Sequence, residues 1–193
     1  MNHTGHVVGG IIAGGAVCFL ASTTGDVELG WETLNEMAES PLSPTQNTKT
    51  LLGLFMTSLF MALFPDLDVQ SVSQRWFFRI VFVLMAIMHF SGRQDLFVIV
   101  AFCAILPVLH QHRGWTHWKI TPWAVALFLA VVQEYFHAQQ RNYGGFSWGN
   151  VFELLERYWI FVVACVAGHY MHLFLDARSM RWLKFISNDA NHH

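Results

Sequence analysis

The sequence predicts an all-α protein: a polytopic transmembrane helical bundle of about six spans, with both termini on the same, cytoplasmic side. Three observations carry that expectation. The chain is 54% hydrophobic and only 12% charged, against roughly 25% charged for an ordinary soluble domain. Six apolar runs follow one another, at about 7–22, 50–65, 76–90, 94–109, 121–137 and 158–176. The polar clusters that interrupt them fall at run ends, where a chain leaves the hydrocarbon.

A length of 193 residues suits a single integral-membrane domain over 1–193. Mean hydropathy is +0.38, and 17 Phe and 8 Trp leave too little polar surface for a soluble fold. The formal net charge of −2 supplies no global field for direct nucleic-acid binding. Cys18, Cys103 and Cys165 each lie inside an apolar run with no CxxC pairing, and read as small core hydrophobes.

The first run follows Met1–His6, which contains no Lys or Arg, so it reads as a retained helix instead of a cleaved signal. It is rich in Gly9, Gly10, Ala13, Gly14, Gly15 and Ala16, small residues that permit close helix approach. The second run ends at Pro65, which stops a helix. The third and fourth are separated by Ser91-Gly92-Arg93, a tight helical hairpin. Most runs are 15 to 17 residues, short of the ~20 of a full span, so tilt and flanking aromatics must make up the difference. The connections 23–49 and 138–157 are expected on the extracytoplasmic side. The first is acidic, with a middle that suits an interfacial helix, and the second has a helical pattern from Trp148 to Tyr158.

Counting crossings places four polar clusters on the side that holds the N-terminus. They are His6, Pro65-Asp66-Leu67-Asp68, His112-Arg113-Gly114-Trp115-Thr116-His117, and His172 with Asp176. That side carries seven Lys and Arg, and the other carries four. The bias assigns the cluster side to the cytoplasm.

The residue types are those that hold a divalent metal. Asp66 and Asp68 are two apart and suit a hard or borderline cation. His112 and His117 flank Gly114, which permits a turn that lets the imidazoles converge. His172 and Asp176 are four apart and share one helix face. His169 lies three before His172 and reaches the same face, and His110 is the weakest member of its cluster. Seven candidates (His6, Asp66, Asp68, His112, His117, His172 and Asp176) exceed what one tetrahedral zinc needs. Zn is the first expectation, Mn or Mg the alternatives, as one or two ions. Arg113, with Arg75, Arg79, Arg178 and Arg181 flanking the other motifs, suits an anionic phosphate. Thr116 suits an orienting hydrogen bond to a ligand or water. His89, Glu134 and His137 fall towards the opposite side and read as structural.

The ordered set of Gly-His, Pro-Asp-Leu-Asp, His-Arg-Gly-Trp-Thr-His and Gly-x-x-x-His-x-x-x-Asp, across residues 5–176, resembles the YdjM-like family. That family is described as LexA-binding, inner-membrane-associated, metal-dependent hydrolases. The resemblance implies a multi-pass protein of a bacterial inner membrane. It marks His6, Asp66, Asp68, His112, Arg113, Thr116, His117, His172 and Asp176. This chain departs from the family pattern at Val69-Gln70, Trp118, His169 and Ser179. The His-x-x-x-Asp element is also similar to that of zinc-dependent phospholipase C, a fold-level analogy only.

The expected function is therefore a membrane-bound hydrolase acting on a phosphoester, such as that of a phosphorylated lipid, through a metal-activated water at the cytoplasmic interface. Asp66, Asp68, Arg113 and Thr116 are its expected catalytic residues. Two alternatives use the same residues: an ion or proton transporter, and a membrane regulator or scaffold that binds a cytoplasmic regulatory protein around a structural metal.

Overall fold

A computed structural model describes residues 3–28, 45–68, 71–106, 114–140 and 145–190, with side chains of the last helix described as far as Ala177. Every described element is helical. In chain order they are α1 (His3–Thr24), α2 (Gln46–Leu63), a 3-10 turn (Phe64–Asp68), α3 (Val72–Phe90), α4 (Gln94–Ile105), a second 3-10 turn (Trp115–His117), α5 (Thr121–Gln140), α6 (Trp148–Arg157) and α7 (Trp159–Ala190).

Each of the six expected runs contains a helix among the described residues. Among the described residues, four are long and apolar enough to cross a membrane: Thr4–Thr24, Gln46–Asp68, Val72–Phe90 and Trp159–Ala177. Of the run at 94–109 the described part forms the 12-residue α4, about 18 Å of helix against a ~30 Å hydrocarbon core. The run at 121–137 gives the 20-residue α5, in which Gln133 and Glu134 dilute the apolar character. The expected helical pattern after Trp148 forms α6. The interfacial helix expected within 23–49 lies outside the described residues.

The core is built by α1, α2 and α7, which all touch one another. Helix α1 runs antiparallel to both partners: Gly9 faces Met171 and Leu175, Gly10 faces Leu59 and Ala62, and Gly14 faces Phe55. The small residues of the first run are thus the contact surface, as their size suggests. Helix α7 crosses α2 at Gly168, where an added Cβ would collide with the Ser58 carbonyl. There Ser58 Oγ donates to Ala164 O at 3.1 Å, a polar tie between two buried helices.

Two apolar clusters fill this core. One joins Val17, Ala21, Leu51, Leu54, Ile160 and Ala164, away from the polar clusters. The other, Met61, Phe64, Leu67 and Cys165 with Phe77 and Trp115 packed on it, lies beneath them. The three cysteines are free, and Cys18 Sγ donates to Leu51 O at 3.5 Å. The α3–α4 hairpin turns at Gly92, whose φ of +72° suits glycine. Arg93 N donates to Met88 O there at 2.9 Å.

Candidate metal centre

The end of α2 prepares the site. Pro65 cannot continue an α-helix, so the chain tightens into the 3-10 turn Phe64–Asp68. The turn is held from the start of α3. Ser71 Oγ donates to Asp66 O at 2.8 Å and accepts from Gln74 N at 3.0 Å, capping α3. Gln74 Nε2 donates to Leu67 O at 3.0 Å. The backbone carrying both aspartates is thereby fixed on each side.

Stopping α2 leaves its last carbonyls without helical partners. One of them, Ala62 O, lies 2.8 Å from His172 Nδ1. A carbonyl only accepts, so Nδ1 carries the proton and Nε2 carries the lone pair. His172 is fully buried, and its Nε2 makes no hydrogen bond among the described residues. That nitrogen points at carboxylates instead, 3.8 Å from Asp176 Oδ2 and 3.9 Å from Asp66 Oδ1.

Helix α1 supplies the third side. His6, 2% exposed, lays its ring on that of His172 with centroids 3.9 Å apart and planes 17° from parallel. Its Nε2 lies 3.3 Å from Asp176 Oδ1. His6, His172 and Asp176 each offer a ligand atom, all within 4.8 Å of one another. A tetrahedral zinc with arms of about 2.0–2.1 Å has ligand–ligand edges of about 3.4 Å. The donor set and its spacing therefore fit a divalent cation. The buried, unbonded Nε2 of His172 is the atom that such an ion would satisfy. Asp66 and Asp176 are 21% and 22% exposed, so the centre opens on its carboxylate side.

A second group adjoins the first. The Trp115–His117 turn leads into α5, with Thr121 Oγ1 donating to Trp115 O. Thr116, fully buried, donates from Oγ1 to Asp68 Oδ2 at 2.9 Å. His117 Nδ1 lies 3.3 Å from that hydroxyl oxygen and 3.6 Å from Asp68 Oδ2. Since the Thr116 proton goes to Asp68, its oxygen can accept from His117 Nδ1–H, which makes His117 Nε2 the lone-pair nitrogen. The His117 ring meets that of His172 edge-on, with centroids 5.4 Å apart.

Six of the seven expected ligands, with Thr116, thus sit in two adjoining groups at one end of the bundle. The seventh, His112, and Arg113 lie outside the described residues, as does His110. Arg75 and Arg79 are exposed on α3, with the Arg79 guanidinium 5.2 Å over the Trp76 ring. Of the residues expected on the opposite side, Glu134 and His89 form separate local contacts. Glu134 is fully buried and accepts from Asn150 Nδ2 at 2.8 Å and Ser147 N at 3.3 Å at the start of α6. His89 faces Gln94 across the α3–α4 turn.

Sequence reasoning missed two supports. His169 bonds the Trp118 carbonyl instead of joining His172, although its spacing hinted at a shared face. The Ser71 and Gln74 ties carry a capping signal (Ser three before Gln) that was legible beside the aspartates.

No curated protein and no solved structure matches this chain. A family profile does match, that of the YdjM inner membrane protein, over residues 1–182. With several membrane-length apolar helices and this match over nearly its whole length, the chain is a multi-pass inner membrane protein and belongs to the YdjM inner membrane protein family.

Proposed function

We propose that this protein is a membrane-bound, metal-dependent hydrolase of a phosphoester, with its centre at the cytoplasmic interface. The observation that carries the reading is the convergence of His6, His172 and Asp176 around a buried imidazole nitrogen that no group among the described residues satisfies. His6, His172 and Asp176 would hold the ion, with Asp66 beside them. Asp68 and His117, and His112 by its sequence motif, would hold a second. Zn fits the His-rich donor set best, with Mn or Mg as alternatives.

When bound, a divalent cation supplies Lewis-acid polarisation of a phosphoryl oxygen and a lowered pKa for water. The chain's own residues do the rest. Ala62 O fixes the His172 tautomer so that Nε2 faces the centre. Thr116 orients Asp68 in the same way. Asp66, partly exposed beside His172, is the carboxylate placed to take a proton from water entering on the open side. Arg113 is the proposed partner of the phosphate charge. Position at the ends of three candidate spans suits a substrate whose headgroup lies at the membrane surface, such as a phosphorylated lipid.

A second reading draws on burial. Both imidazoles are closed off from solvent, as in a structural metal site, which suits a regulator that binds a cytoplasmic protein. Turnover separates the two. The protein, purified in detergent and loaded with zinc, is assayed for bound metal and for phosphate release from aryl phosphate and phosphatidate. Metal binding with release that Asp66→Asn abolishes supports the hydrolase. Metal binding without release on any phosphoester supports the regulator, and no bound divalent metal in the wild type overturns both.

A further inference from the structure

His169 is a buried polar residue that the candidate metal centre does not use. It is fully buried on α7, one turn before His172. Its Nε2 lies 3.1 Å from Trp118 O. A carbonyl only accepts, so this nitrogen carries the proton. Its Nδ1 is buried and makes no hydrogen bond among the described residues. An unpaired buried acceptor costs stability that a phenylalanine at the same place would not. The bond to Trp118 O has to supply something in return.

What it holds is the turn that carries Thr116 and His117. That turn is a single 3-10 turn, closed by His117 N to Gly114 O and Trp118 N to Trp115 O, each 3.1 Å. Such a short element has little stability of its own. The Trp118 ring is 60% exposed, so its side chain is not what seats the turn on the bundle. The next residue of α7 adds a second tether, since Tyr170 Oη donates to Lys119 O at 3.1 Å. One helix therefore bears the ligands His172 and Asp176 and also grips the segment that brings His117 within 3.6 Å of Asp68.

We propose that His169 is a positioning residue, which locks the Trp115–Trp118 turn to α7 and so sets the place of Thr116 and His117 relative to His172. Its consequence for metal affinity rests on the metal-centre reading above, whereas the tether itself does not.

The test uses the full-length protein in detergent, with hydrogen–deuterium exchange of residues 114–121 in the metal-free state as its first readout. His169→Phe keeps ring volume and removes the donor, while His169→Gln keeps an N–H of similar reach. Exchange of 114–121 is expected to rise in His169→Phe, with α1 and α2 still protected, and to return towards wild type in His169→Gln. Zinc affinity, read by competition with a chromogenic chelator, is expected to fall by about 10–100-fold in His169→Phe, the usual cost of losing an orienting partner. Combined with His117→Ala, the two losses are expected not to add, because both act through His117. If His169→Phe does not fold, His169→Asn, polar but too short to reach Trp118 O, replaces it. Unchanged exchange at 114–121, or losses that add fully, would overturn the proposal. A wild-type protein that binds no zinc overturns the metal-centre reading instead, and the exchange result still decides the tether.

Discussion

Gly168 of α7 lies against the backbone carbonyl of Ser58 in α2, with no room for a β-carbon between them. This crossing sits one turn above His172, so the separation of α2 and α7 also sets how the His172 imidazole reaches Ala62 O. The contact opposite is backbone, which cannot swing aside as a side chain would.

Gly168→Ala should therefore destabilise the protein by about 1–3 kcal/mol, the usual range for overpacking, despite the better helix propensity of alanine. Gly15, also in a helix, would place an added Cβ with nothing within 4 Å among the described residues, so Gly15→Ala should be neutral or stabilising by up to about 1 kcal/mol. Thermal unfolding of both variants in one detergent checks the contrast. Equal behaviour would mean that the close crossing is not tight.

Thr116→Val keeps the shape of the side chain and removes the proton given to Asp68 Oδ2. It should lower metal affinity by about 10–100-fold, with Thr116→Ser retaining most of it. Calorimetric zinc titration of the two variants checks the prediction, and equal affinities would remove Thr116 from the site.

Ser71→Ala loses both the cap on Gln74 N and the bond to Asp66 O. A lost N-cap costs about 1 kcal/mol, and the freed turn should also loosen Asp66. The expected result is a lowered melting temperature together with weaker metal binding. A change in stability with unchanged metal binding would show that Asp66 is held by other means.

Removal of metal should lower the melting temperature, because a ligand that binds only the folded state stabilises it by about 2.7 kcal/mol at a hundredfold excess over Kd. Dialysis against a chelator should produce the drop and added zinc should reverse it. In His172→Ala, chelation should make no difference, since that variant lacks the buried Nε2 that points at Asp66 and Asp176.

Much of the site was legible in the residues themselves. His172 and Asp176 are four apart, so any helix stacks them. Pro65, at the far end of a long apolar run, cannot continue an α-helix, and so presents Asp66 and Asp68 at its tip. His6 was weak by itself, because one histidine beside a glycine has no local geometry that marks it. Its role comes from α1 running antiparallel to α7, which lays its ring on that of His172.

By itself the sequence determined that the chain is helical and membrane-embedded, because composition and the length of apolar runs decide how backbone groups are satisfied in lipid. Counting the alternation of six runs also led to the expectation that four segments with residues of metal-ligand type end on one side. Only the tertiary structure decided which of those residues meet, because side-chain convergence depends on how closely and in which register helices cross. The small faces of Gly9, Gly10, Gly14 and Gly168 set that approach. The same packing gave His169 its grip on the Trp118 carbonyl, a contact between residues 51 apart that no local pattern encodes.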